Sequence, residues 1–159
     1  MNEELLNLAT AVAEKLNAQH KTLTTAESCT GGAIAYTLTE ISGSSQWFER
    51  GFVTYSNASK MELLGVTQKT IERYGAVSGE TALEMVMGAL NHSLADIALA
   101  VTGIAGPTGG SLEKPVGTVF IALAEQGKTP HVKKHLFSGD RHEIRTQTVK
   151  TALEWLLNA

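Results

Sequence analysis

The sequence predicts an α/β fold, a three-layer α/β/α sandwich with a mixed, mostly parallel sheet of about five strands. Strand-like runs alternate with segments of helical periodicity along the whole chain. One link between neighbouring strand-like runs, "EQGKTP", is short enough for a hairpin, so at least one strand pair is antiparallel. No repeat, low-complexity tract or linker divides the 159 residues, so 1–159 reads as a single domain.

Each element has its own signal. Leu5, Leu8, Ala9, Val12, Ala13 and Leu16 recur at helical spacing, which predicts a helix over 3–19. A short strand over 22–26 runs into the glycine turn of "TTAESCTGG", and a helix is expected over 32–40. "SGSSQWFERG" reads as a loop leading to a strand at 51–55, with Trp47 and Phe48 as core or dimer contacts. Ser56 caps a helix over 57–64 that Gly65 ends, and Thr67 starts a shorter one ending near Tyr74. Ser78 and Thr81 open a helix reaching about His92, with Leu83, Val86, Met87 and Leu90 facing inward. Strands are expected at 97–101, 118–124 and 132–137. Asp140 and Glu143 then form a capping-box-like start to a last helix with Ile144, Val149, Leu153 and Leu156 apolar.

Composition excludes several classes of function. A net charge of −3 and a pI near 5.9, with no basic run, leave no electrostatic footprint for nucleic acid. No apolar run approaches a bilayer span, and the acidic, amphipathic N-terminus does not read as a signal peptide. A single cysteine rules out an internal disulfide and fits a reducing, cytoplasmic setting. The five histidines and Cys29 fall in no metal-ligand spacing, so no metal is expected.

Three segments carry chemistry. Ser28 stands where a strand ends and a helix begins, beside Gly31 and Gly32, where backbone N–H groups can face an anion. It reads either as a nucleophile or as the cap of a plain glycine turn; G-x-S-x-G and S-x-x-K are both absent. "VTYSNASK" places Tyr55 at a strand end and Lys60 in the first turns of the next helix, on a face shared with Leu63 and Leu64. Burial and the helix dipole would lower the lysine pKa and make it a base for Ser28, with the Tyr55 phenol as relay. The alternative is a solvated lysine snorkelling from its helix. "TGIAGPTGGSLEKPVGT" is a glycine-rich loop at a strand end, read as a pocket wall or a surface hairpin. Arg141 and Arg145, on successive turns near a helix N-terminus, are candidates for phosphate or ordinary surface arginines. Cys29 reads as a small buried thiol, and Asp140 with His142 as a poor match to a hydrolase triad, because their side chains would point apart.

Together, "TTAESCTGG", "SSQWFERGFVTYSNASK", "LLGV", "YGAVS", "TGIAGPTGGSLEKPVGT" and "FSGDR" resemble the CinA C-terminal domain family from about residue 5 to the end. That family includes nicotinamide-nucleotide amidohydrolases, and the chain is similar to its stand-alone form, without the N-terminal domain of longer members. The resemblance implies hydrolysis of the carboxamide of nicotinamide mononucleotide in pyridine nucleotide recycling, with no cofactor and as a homodimer. It matches Ser28, Tyr55 and Lys60 to a serine–lysine arrangement with a tyrosine. Candidate substrate-binding residues are Glu27, Thr30, Gly31, Gly32, Asn57, Gly103, Gly106, Arg141 and Arg145, with the N–H groups around Thr30, Gly31 and Gly32 holding an oxyanion. A non-catalytic nucleotide-binding module, and an amidase of the same mechanism acting on another small amide, are the rival expectations.

Overall fold

The computed structural model describes residues 2–159. In chain order the elements are α1 (Glu3–Gln19), β1 (Leu23–Glu27), α2 (Ala33–Thr39), β2 (Phe48–Val53), α3 (Asn57–Leu64), α4 (Gln68–Tyr74), α5 (Gly79–Asn91), β3 (Ile97–Gly103), β4 (Thr118–Glu125), β5 (His131–Leu136) and α6 (Arg141–Asn158). The sheet order is β2-β1-β3-β4-β5. Strand β1 is parallel to both β2 and β3, whereas β4 is antiparallel to β3 and β5. Four strands therefore run one way and β4 runs against them. Among the described residues no helix is long and apolar enough to cross a membrane.

Side-chain size sorts the two faces of the sheet. Along β3 and β4, Ile97, Leu99, Val101, Val119 and Ile121 face α1, α2 and α6, burying the large apolar groups of one core. Ala98, Ala100, Ala122 and Ala124 alternate with them on the other face, against Ala82, Met85, Val86 and Ala89 of α5. Alanines on both partners let α5 lie close to the sheet. The helix is drawn in further by Gly88, where a Cβ would run into the Leu64 carbonyl at the end of α3. That backbone-to-backbone approach seats α3, the helix that carries Lys60.

The predicted caps are present: Ser56, Thr67 and Ser78 each accept from the N–H three residues on. Asp140 and Glu143 make a reciprocal capping box at the start of α6. Two details differ. The segment read as a loop holds a short 3-10 turn, Ser44–Gln46, and β2 already begins at Phe48. Glu49 and Arg50 hide that strand from pattern reading because β2 is an edge strand, where charged side chains are tolerated. On α5 the buried stripe runs through Ala82, Met85, Val86, Ala89 and Leu90, leaving Leu83 and Met87 half-buried at its margin. Trp47 is a core residue.

Topology then decides where a ligand goes. From β1 the chain passes over one face through α2 to β2, then over the other face through α3, α4 and α5 to β3. The two neighbours of β1 are thus reached across opposite faces, which opens a crevice at the carboxyl ends of β1 and β3. Ser28 directly follows β1, and Thr102 and Gly103 end β3.

Candidate active site

The turn bearing Ser28 is held by its own neighbours. The Ser28 N–H donates to the Val101 carbonyl at 3.1 Å, prolonging the sheet by one residue, and the Ser28 carbonyl accepts from the Gly31 N–H at 3.0 Å. Gly31 and Gly32 have φ of +60° and +104°, a region that favours glycine. The buried Glu27 carboxylate accepts from the Thr30 hydroxyl at 2.5 Å and from the Ile34 and Ala35 N–H groups at 2.8 and 3.0 Å. It therefore caps α2 in place of the usual residue at the helix start, where Gly32 has no side chain to offer. Behind the turn, Arg145 donates from Nε to the Cys29 carbonyl at 3.1 Å and from its second terminal nitrogen to the Thr30 carbonyl at 3.2 Å.

Glu27 thus shapes the turn, with three of its roughly four lone-pair sites taken by Thr30, Ile34 and Ala35. Glu27→Gln must aim an NH₂ group at one of three donors. We expect it to cost about 2 kcal/mol of stability. Urea unfolding measures this, and a variant as stable as wild type would show that the carboxylate is not what caps α2.

Lys60 is the second half of the site. Its side chain is 1% exposed, and its Nζ lies 3.0 Å from Ser28 Oγ, 3.0 Å from the Thr54 carbonyl and 3.1 Å from the Tyr55 carbonyl. Burial lowers its pKa below the ordinary lysine value, while the neighbouring Cys29 acts in the opposite sense. The two carbonyls can only accept. A neutral amine has two N–H groups and one lone pair, so with both N–H groups on the carbonyls its lone pair faces the Ser28 hydroxyl. This arrangement suits proton removal from Oγ.

Cys29, adjacent to Ser28, is also buried, and burial pushes its thiol up to about 12. It stays protonated and is a poor nucleophile.

Ser28 and Lys60 open into a cavity of about 180 Å³ lined also by Tyr55, Asn57, Thr102, Gly103 and Arg141. Its walls are tied together. The Thr102 hydroxyl donates to the Ala76 carbonyl at 2.8 Å, tethering the segment before α5. Arg141 donates to the Gly106 carbonyl at 2.7 Å and to the Tyr55 hydroxyl at 3.0 Å, spanning the glycine-rich loop and the end of the β2–α3 link. A Cβ on Gly103 would press on Val119, so the cavity wall passes close to the sheet there. A larger cavity of about 740 Å³ lies at the opposite end of the sheet, among Lys15, Lys21, Glu125, Lys128 and His131, away from Ser28 and Lys60.

Of the residues singled out in the sequence, Ser28, Tyr55, Asn57, Lys60, Gly103 and Arg141 meet at this cavity. Glu27, Thr30, Gly31 and Gly32 form the turn beneath it, and Gly106 supplies only the carbonyl that receives Arg141. Arg145 lines a different groove, with Ala33, Tyr36 and Thr37. The Gly31 N–H is already spent on Ser28. Tyr55 is 59% exposed and meets Lys60 through its main-chain carbonyl, its phenol being engaged by Arg141. Asp140 is consumed as a helix cap, and His142 is exposed beside the other groove. The Thr54 and Tyr55 carbonyls that hold Lys60 escape sequence reading because a main-chain acceptor leaves no mark in residue type. Among the described residues no group of three or more His, Cys, Asp or Glu is placed to hold a metal.

Fold and site define a class: a three-layer α/β domain in which a buried lysine amine meets a serine hydroxyl at the switch point of the sheet. The chain belongs to the CinA C-terminal domain family, whose model matches residues 5–159. It is 49% identical over 155 residues to nicotinamide-nucleotide amidohydrolase PncC of Escherichia coli (strain K12), covering 98% of this chain and 94% of that protein. A CinA-like protein of Geotalea daltonii is 54% identical over 147 residues, which are 92% of this chain and 35% of that longer protein. The crystal structure of competence/damage inducible protein CihA from Agrobacterium tumefaciens superposes with a TM-score of 0.96 at 47% identity, over 100% of this chain and 98% of that one.

Proposed function

We propose that this chain is a nicotinamide-nucleotide amidohydrolase, converting nicotinamide mononucleotide and water to nicotinic acid mononucleotide and ammonia. Its similarity to the Escherichia coli enzyme, near the full length of both chains, supports the substrate. The observation that carries the chemistry is the coordination of Lys60, with two carbonyls and one serine hydroxyl around one buried amine.

In this reading Ser28 Oγ attacks the carboxamide carbon while its proton passes to the Lys60 lone pair. The carbonyl π electrons move to oxygen, which becomes an oxyanion held by N–H groups of the turn, each good donor being worth roughly 3 kcal/mol. As the tetrahedral intermediate collapses, the Lys60 ammonium returns its proton to the departing nitrogen and ammonia leaves. Water, deprotonated by the same amine, then attacks the ester and releases the carboxylate and Ser28. Tyr55 serves the step through the carbonyl that orients Lys60 and through the phenol that holds Arg141. The cavity is below the usual size for a drug-sized ligand, so it takes the pyridine carboxamide while ribose and phosphate leave through the mouth beside Arg141 and Asn57. A single domain, a homodimer and a cytoplasmic location belong to the same reading. The lone buried cysteine fits the last of these.

The direct test is release of ammonia from nicotinamide mononucleotide by the purified chain; no release above the spontaneous rate overturns the assignment. Recognition of the phosphate is tested separately at Arg141. Arg141→Met should raise KM for the nucleotide roughly tenfold, the worth of a charged hydrogen bond. It should change kcat/KM for nicotinamide riboside far less. Equal effects on both substrates would mean that Arg141 holds the loop and does not read the phosphate.

A further inference from the structure

Resting on the serine–lysine reading, we infer that Arg145 is a positioning residue that sets the oxyanion donors of the Ser28 turn from behind. Its guanidinium holds two successive carbonyls, those of Cys29 and Thr30. A trans peptide points its N–H opposite to its C=O. Fixing the Cys29 carbonyl on Arg145 therefore turns the Thr30 N–H away from Arg145. Among the described residues no acceptor meets the Thr30 N–H, although the residue is buried. A buried donor without a partner is costly, and an oxygen that arrives with the substrate supplies the missing partner. The next peptide is held in the same way: with the Thr30 carbonyl on Arg145, the Gly31 N–H turns back to the Ser28 carbonyl and closes the turn.

Place and packing favour this role over contact with substrate. Arg141, one helical turn earlier on α6, lines the Ser28 cavity, whereas Arg145 lines the groove on the far side of the turn. Gly31 makes the approach possible, because a Cβ there would sit 3.3 Å from the guanidinium. Glu27 anchors the start of α2 while Arg145 anchors the carbonyls just before it. The turn is thus held by Glu27 and Arg145 together, and among the described residues its Thr30 N–H is left without a protein partner.

The test compares wild type, Arg145→Lys and Arg145→Met. We expect Arg145→Met to lower kcat for nicotinamide mononucleotide roughly 10- to 100-fold, the scale of a misplaced oxyanion donor. KM should stay within about threefold and the midpoint of the pH–rate profile should not move, because neither the cavity wall nor Lys60 is touched. Arg145→Lys, which keeps one charged donor, should recover part of the loss, and it carries the test if the methionine variant does not fold. A small fluorophosphonate gives a readout independent of the natural substrate: Ser28 Oγ bonds to phosphorus as its proton passes to Lys60, fluoride leaves, and the developing phosphoryl oxyanion needs the same donors. Its labelling rate should fall by a factor similar to kcat. Wild-type labelling rates in the variants, or a raised KM with unchanged kcat, would overturn the inference and make Arg145 a structural or phosphate-reading residue. A wild-type chain that labels but releases no ammonia from the nucleotide sinks the proposed substrate and leaves the labelling comparison to decide on Arg145. A wild-type chain that does neither removes both.

Discussion

Ser28→Ala should abolish ammonia release, by roughly 10⁴-fold or more, the scale seen when a serine nucleophile is removed. The reason lies in what else is within reach. Among the described residues, Ser28 Oγ is the only hydroxyl bonded to the Lys60 amine. Cys29 cannot take over, because a thiol pushed up to about 12 carries almost no thiolate near neutral pH. The fold should survive the change. Both anchors of Ser28, its N–H on Val101 and its carbonyl under Gly31, are main-chain bonds that alanine keeps. Thermal unfolding should move by only a few degrees, which for a domain of this size corresponds to about 1 kcal/mol. Binding of the nucleotide, followed by calorimetry, should be near normal. A folded alanine variant with substantial turnover would end the nucleophile assignment and point to activated water instead.

The contrast between Arg141 and Arg145 shows where sequence reading ends. Periodicity and capping chemistry act over a few residues, so Ser56, Thr67, Ser78 and the Asp140–Glu143 box could be placed from the sequence, and so could the mixed sheet. The two arginines share type, spacing and helix, yet one reaches into the cavity and the other holds the turn from behind. Only the path of the chain around β1 separates them. Glu27 is similar: its place beside Ser28 suggests an orienting group or a ligand contact, and only packing shows that its carboxylate caps α2. Lys60 was legible as a candidate base, but for partly the wrong reason. Leu63, expected to help bury it, is 46% exposed, whereas Leu64 is buried. The strand at 48–53 was displaced in the reading because Glu49 and Arg50 on an edge break the apolar alternation.

Lys60→Arg should be almost as inactive as the serine variant, although it keeps the charge. Burial lowers the Lys60 pKa, so the neutral amine is present at a lower pH than for an ordinary lysine. The rate should therefore rise with pH through an apparent pKa below the lysine value and then level off, since the base works only when unprotonated. Stability should follow in the same direction. The unfolded chain, with an ordinary lysine, binds more protons than the folded chain between the two pKa values, so stability rises with pH across that window. A guanidinium cannot lose its proton in a protein, and its planar fork does not fit a site built for one nitrogen with three partners. Lys60→Met separates chemistry from charge: it too should be inactive, and it leaves the Thr54 and Tyr55 carbonyls without a donor, at about 1–3 kcal/mol each. Tyr55→Phe should cost far less than either, because the carbonyl on Lys60 remains and only the bond to Arg141 is lost. A tenfold or greater fall in kcat for Tyr55→Phe, with KM unchanged, would give the phenol a proton to carry. Substantial turnover by Lys60→Arg would have the stronger consequence: the site would need a positive charge rather than a base, and the lone pair facing Ser28 would no longer explain the reaction.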